Sequence, residues 1–152
     1  MLENNQVVVF NIDDKNFALY LKVVRRILPS VEITPLPGAP KVVLGIINLE
    51  GEVIPVFNTR LRFQFKMKEM ELSDRLIIVQ TKKRNVALLV DDVKDVIEII
   101  GEDLVMSGDI LPGQKYIDGV IKLEDSLILI HDVDKFLSLY EEEKLNNAIY
   151  DV

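Results

Sequence analysis

The chain has 152 residues, 49% of them hydrophobic, and a formal net charge of −7. A chain of this size buries roughly 68–70% of its unfolded-state surface, so one compact unit, or two small subdomains sharing a core, is expected. The lack of Cys excludes disulfides, thiolate metal sites, cysteine nucleophiles and iron-sulfur clusters, and the acidic balance disfavours non-specific contact with nucleic acid, whose phosphates are bound through Lys and Arg.

Residues Met1 to Gln6 show no basic region ahead of an apolar stretch, and no apolar run approaches the ~18 residues of a membrane helix. A soluble, cytoplasmic protein is the expectation. Val7-Val8-Val9-Phe10 is a short β-rich run closed by the polar turn Asp13-Asp14-Lys15-Asn16, which predicts a hairpin. Pro35, Pro37 and Pro40 around Gly38 break regular structure and predict an extended loop before a strand over Leu44–Leu49. Leu49-Glu50-Gly51-Glu52-Val53 supplies a tight turn in which Gly51 takes positive φ at little steric cost. Residues 66–73 are charged, lack strand alternation and read as a surface connection. Leu76-Ile77-Ile78-Val79 opens a second hairpin, whose turn carries the basic run Lys82-Lys83-Arg84, read as solvated. Leu123-Glu124-Asp125-Ser126-Leu127 is a further tight turn. At the end, Asp132 as a cap with Phe136, Leu137, Tyr140 and Leu145 at helical spacing predicts a helix that frays past Asn146.

The two halves repeat each other. Asn16-Phe17-Ala18-Leu19-Tyr20-Leu21 followed by Val24 and Ile27 recurs as Asn85-Val86-Ala87-Leu88-Leu89-Val90 followed by Val93 and Val96. Gly45-Ile46-Ile47-Asn48-Leu49 through Ile54 recurs as Gly119-Val120-Ile121-Lys122-Leu123 through Ile128. A period of about 70 residues is too long for a solenoid unit, which points to two similar small subdomains. The predicted division is one domain over 1–152: a first subdomain over 7–65, a connection over 66–73, a second subdomain over 74–140, and a C-terminal helix and tail over 132–152. Many short strands and frequent turns predict an all-β fold of two small β-barrels side by side, closure leaving few open strand edges.

Chemistry is hard to assemble from these residues. His131 beside Asp132 is an acid-base pair on paper, but a lone His at a strand end, with no Cys and no second His, reads as structural or exposed, and no ordinary metal site forms around it. The pairs Asp13-Asp14 and Asp91-Asp92 read as turn and cap residues, since the strand-helix alternation that would make either a phosphate acceptor is missing. The phosphate-cradling and nucleophile-elbow glycine patterns do not occur. The expectation is no enzyme, no cofactor and no metal, with binding function left open by the residues alone.

Ile33-Thr34-Pro35-Leu36-Pro37 and the run from Gly45 through Asn48, Leu49, Glu50 and Gly51 to Pro55-Val56 resemble the hallmark of CheW-like domains, a proline-containing loop leading into a G-V-I-N-L-R-G-x-x-x-P-V strand pair. The resemblance extends through Val24-Arg25-Arg26-Ile27, Leu88 to Val93, Asp95-Val96, Gly119-Val120-Ile121 and Leu127 to Ile130, covering essentially the whole chain. It implies two five-stranded SH3-like barrels around a shared core, and a non-enzymatic coupling protein of chemotaxis that scaffolds the cytoplasmic tip of chemoreceptors to the regulatory domain of a CheA-type histidine kinase. The implied location is cytoplasmic, at membrane receptor arrays through those partners. Carried over by motif, the implied receptor groove uses Val24, Arg26, Ile27, Gly45, Asn48, Glu50, Val93 and Val96, although plain core packing draws on the same aliphatic residue types.

The chain departs from the family motif chiefly at one pair, with Ala87 in place of the Gly of many relatives as a smaller change. Where the motif has N-L-R-G it has Asn48-Leu49-Glu50-Gly51, and where the motif has V-x-E-I it has Val24-Arg25-Arg26-Ile27, which predicts that Arg26 and Glu50 lie close together with exchanged charges. Rival readings are a CheW-like domain of a CheV-type or kinase-fused protein, and a small ligand-binding barrel on a similar fold.

Overall fold

The computed structural model describes residues 6–106 and 116–150. Its strands are β1 (Gln6–Ile12), β2 (Lys15–Tyr20), β3 (Val24–Pro29), β4 (Val43–Leu49), β5 (Glu52–Phe57), β6 (Arg75–Gln80), β7 (Asn85–Val90), β8 (Asp92–Glu98), β9 (Leu104–Met106), β10 (Ile117–Lys122) and β11 (Leu127–His131). A short helix, α1 (Thr59–Arg62), follows β5, and a longer one, α2 (Leu139–Tyr150), ends the chain.

Local chemistry explains the hairpins. Asp13 and Asp14 both take positive φ, 53° and 64°, in the two-residue turn between β1 and β2, and Glu50 and Gly51 do the same, 52° and 89°, between β4 and β5. Two left-handed residues in succession give the turn whose twist matches the flanking strands, and Asp and Gly are among the residues that tolerate it. The turn over Lys82-Lys83-Arg84 is confirmed, but Arg84 is not free in solvent: it meets Glu142 of α2 at 2.7 Å.

The strands form a six-stranded sheet in the order β8-β1-β2-β11-β10-β9 and a five-stranded sheet in the order β3-β6-β7-β5-β4. Each draws on both repeats. The β1-β2 hairpin of the first repeat lies among strands of the second, and the β6-β7 hairpin of the second lies among strands of the first. Equivalent parallel pairs stitch the exchange, Ala18 opposite Ile130 and Ala87 opposite Val56.

This exchange accounts for the continuous apolar runs at Val7–Phe10 and Leu76–Val79, because both hairpins are buried on both faces. Val7, Val9 and Ala18 join one cluster within the six-stranded sheet, Leu76, Ile78 and Ala87 a matching one within the other, while Phe10, Leu19, Ile77 and Leu88 turn into a cluster shared between the sheets. Phe136, Leu145 and Ala148 add the C-terminal segment to that shared core.

The all-β architecture with a C-terminal helix is as expected; closure of the barrels is not. Among the described residues neither sheet closes through a continuous ladder of hydrogen bonds. Both sheets nonetheless curl. The outer strands β8 and β9 of the larger sheet are joined by residues 99–103 alone, too short to span a flat sheet of that width. In the smaller sheet the chain beyond β3 reaches back to β4 through a single bridge, Thr34 with Ile46, at 2.9 and 2.8 Å. The prolines of the 35–40 loop limit that closure to one bridge, since Pro lacks the donor a ladder needs.

The terminal helix also differs from expectation. Asp132 caps a 3-10 turn over Val133–Lys135, and α2 starts at Leu139 behind a reciprocal box: Ser138 Oγ accepts from the Glu141 amide at 3.1 Å and Glu141 Oε1 accepts from the Ser138 amide at 2.9 Å. It stays helical to Tyr150 because Ala148 is buried against the core.

Candidate functional site

The sequence-predicted site residues fall on the rims of the two sheets. Val24, Arg26 and Ile27 lie on β3, an outer strand of the smaller sheet, and Val93 and Val96 lie on β8, an outer strand of the larger one. The repeat makes Val24 equivalent to Val93 and Ile27 to Val96, and the structure treats each pair alike. Val24 and Val93 are half-buried against the shared core, while Ile27 and Val96 are 43% and 44% exposed. Each outer strand thus presents one aliphatic side chain to solvent and anchors itself with the other.

Gly45 and Asn48 have local duties that their positions in the motif do not reveal, and Glu50 has the contact that its position predicts. A Cβ on Gly45 would stand 2.2 Å from the Thr34 carbonyl oxygen, so the bridge that brings the smaller sheet back on itself requires a glycine there. Asn48 Oδ1 accepts from the Gly51 amide at 2.9 Å and pins the β4-β5 turn. Glu50, within that turn, accepts from Arg26 Nη1 at 2.9 Å. The predicted Arg26–Glu50 proximity is therefore present, with both side chains substantially exposed.

His131 has no catalytic setting. It is buried, its Nδ1 lies 3.2 Å from the Leu129 carbonyl, and its ring stacks on Phe63 at 4.2 Å. Burial drives its pKa down to about 4, the Leu129 contact opposing only partly, so the ring is neutral at physiological pH.

Sequence reasoning missed the ion cluster around Arg60. This side chain is nearly buried and donates to Asp91 Oδ1 and Oδ2 at 2.9 and 2.8 Å, while also pairing with Asp13 at 2.8 Å. Burial pushes the Asp91 carboxyl up, but the Asp13 amide and the Arg60 guanidinium outweigh it and hold the group below the usual carboxylate range. The cluster ties the β1-β2 turn to the end of β7, which fastens an exchanged hairpin in place. No local signal could have found it, since Asp13 and Asp91 each sit in ordinary turn contexts far apart in sequence.

Residues 6–141 match the CheW-like domain. The chain belongs to the CheW-like family. Among curated relatives it is 31% identical over 140 residues to the chemotaxis protein CheW of Rhizobium meliloti, covering 91% of this chain and 90% of that one. It is 29% identical over 136 residues to the CheW of Thermotoga maritima, covering 90% and 89%. Its fold matches the crystal structure of the scaffolding protein TtCheW from Thermoanaerobacter tengcongensis with a TM-score of 0.82 at 27% identity, covering 91% of this chain and 95% of that one. Within the CheW-like frame, the described residues hold no helix long and apolar enough to cross a membrane and no group of three or more His, Cys, Asp or Glu arranged to hold a metal ion.

Proposed function

We propose that the chain is a non-enzymatic coupling adaptor of chemotaxis, working in the cytoplasm to hold the tips of chemoreceptors to the regulatory domain of a CheA-type histidine kinase. The observation that carries this reading is the CheW-like match over residues 6–141, which includes both sheets and the start of α2. In this reading the receptor contact uses Ile27 and Val96, the exposed aliphatic side chains of β3 and β8, with Val24 and Val93 anchoring the same strands and the Arg26–Glu50 pair next to Ile27 in sequence. Two exposed aliphatic side chains on the outer strands suit a helix whose apolar face displaces water from them. A charged pair beside them selects among partners, because like charges brought together on docking are penalised.

The test is titration calorimetry and gel filtration with a CheA-type regulatory domain and a receptor-tip fragment from the same genome. Complexes with both, formed without nucleotide, are the expected result. Failure to bind either fragment at micromolar concentrations defeats the adaptor reading.

A further inference from the structure

Two cavities related by the repeat are filled to very different degrees. One is walled by residues of β7 and β5, which pair in parallel, and the other by residues of β2 and β11, which pair the same way. Arg84, just before β7, corresponds to Lys15 at the start of β2, and Phe57 at the end of β5 corresponds to His131 at the end of β11. Leu137 and Phe63 stand equally far along the chain beyond those two strand ends. The first cavity holds only about 20 Å³ and has Glu142 of α2 in its wall. Glu142 accepts from Arg84 Nη1 at 2.7 Å and pairs with Lys83 at 3.0 Å, and Arg84 also donates to Asn146 on the next turn of the helix.

The second cavity has no such cover and stays open at about 420 Å³. Beyond Leu137 the chain turns back as α2, whereas beyond Phe63 it leaves through the 66–74 connection. Lys68, the counterpart of Glu142, carries the opposite charge and pairs with Glu71 at 2.8 Å. The open wall is aromatic: the Phe63 and Phe65 rings lie 5.0 and 5.8 Å from Phe17, and the neutral His131 ring stacks on Phe63. No carboxylate lines it among the described residues. Of its two cations, Arg62 is engaged by Tyr116 and Glu141, while Lys15 is exposed and has no ion-pair partner among the described residues.

We propose that the open cavity is the docking site for an acidic amphipathic helix of a partner protein, seated on it as α2 is on the related one, with a Glu or Asp carboxylate on the Lys15 ammonium. The occupant is read from the chain itself: the same frame, with a cation at the same position, already takes a helical carboxylate in the other half. Aliphatic side chains of the incoming helix cover Phe17, Phe63 and Phe65, and removing that aromatic surface from water drives the contact. The carboxylate and the ammonium then form a charge-assisted hydrogen bond that fixes register, as Arg84 and Glu142 do. None of the rim positions Val24, Ile27, Val93 and Val96 lines this cavity, so the kinase and receptor titrations test the adaptor reading separately.

Aromatic and amide NMR titration of the full chain decides the matter. The probe is an acetylated, amidated peptide of residues 138–150, stapled through the exposed positions Tyr140 and Lys144 because a helix this short is marginal in water. Saturable shifts at Lys15, Phe17, Phe63 and Phe65 are expected. Lys15→Glu, at an exposed position, weakens the peptide by roughly tenfold while the melting temperature holds. A peptide carrying Glu141→Lys, Glu142→Lys and Glu143→Lys fails to bind the unaltered chain and binds the Lys15→Glu variant, restoring the pair with its signs exchanged. Four outcomes overturn the proposal: no saturable shift at those residues at millimolar peptide, equal binding by Lys15→Glu, shifts centred on Val86 and Leu137, which mean that the peptide displaces α2, or a dimer of the chain alone that Lys15→Glu abolishes in sedimentation, which gives the site to a second copy.

Discussion

Arg26 and Glu50 join the two rims of one sheet: Nη1 on β3 lies 2.9 Å from Oε1 in the turn after β4, and β3 and β4 are the outermost strands of that five-stranded sheet. The contact spans the same gap as the Thr34–Ile46 bridge and belongs to the same curl. With side chains 46% and 78% exposed, it contributes little to stability, about 0.2–1 kcal/mol, and its effect lies in the potential it shows a partner. Arg26→Glu and Glu50→Arg are each expected to weaken receptor-tip binding with little change in melting temperature, and the double exchange to recover binding to tips of the opposite charge pattern. Strictly additive losses in that cycle would show that the pair does not act as a unit.

The four aliphatic positions are expected to separate by burial. Ile27→Asp and Val96→Asp, on exposed positions, should change stability by no more than about 0.5 kcal/mol while weakening receptor binding. Val24→Asp and Val93→Asp should cost more, about 1–3 kcal/mol, because each places a carboxylate against the shared core. Urea denaturation of the four variants beside a receptor-tip binding assay distinguishes the two classes; equal destabilisation by all four would mean that the strip is core.

Gly45→Ala is expected to destabilise the chain by about 1–3 kcal/mol, since the new methyl must displace backbone and not a flexible side chain. Hydrogen exchange should show the damage first at the Thr34 and Ile46 amides, which hold the bridge. Unchanged protection of those two amides would refute the steric argument.

His131 makes stability depend on pH in a definite direction. Its folded pKa of about 4 lies below the ordinary 6.5, so between those values the unfolded chain binds a proton that the folded chain refuses, and stability falls as pH drops. The shift corresponds to about 3 kcal/mol lost between pH 6.5 and 4. Asp132 opposes part of this at the acid end: burial, then its Asp118 and Asp134 neighbours, raise its pKa against the Asp134 amide, so the folded chain takes that proton first. His131→Phe, which keeps an aromatic ring against Phe63, should flatten the profile above pH 4.5, and an unchanged slope would contradict the assignment.

Arg60→Ala is expected to loosen the β1-β2 turn and cost about 1–3 kcal/mol by leaving Asp91 without its guanidinium. Its signature is a rise in the Asp91 pKa toward the usual carboxylate range, readable by carboxyl carbon NMR, because burial then meets only the Asp13 amide and Lys68 in opposition. A chain that keeps both its melting temperature and a depressed Asp91 would remove the cluster from the account of how the hairpin is held.

The sequence by itself determined the hairpins and the duplication, because β-rich runs closed by polar turns are written in neighbouring residues and a repeat is visible as a pattern; the pairing of Arg26 with Glu50 was legible only through the resemblance to the CheW-like motif. The residue types at each turn are a local signal: Asp13-Asp14 and Glu50-Gly51 include types that tolerate their positive φ, while distant Asp91 and Arg60 add to the hold on Asp13. Only the tertiary structure decided that each hairpin crosses into the other repeat's sheet. That choice rests on contacts between distant segments, Ala18 with Ile130 and Ala87 with Val56, and nearly identical apolar runs offer equal burial to either partner when read locally. The same limit hid Arg60, whose meaning depends on Asp13 and Asp91 arriving beside it from different strands, and it left Val24 and Ile27 indistinguishable until folding turned one toward the core and the other toward water. Chain pattern specifies which residues want burial; the packing of the two sheets against each other settles which of them obtain it.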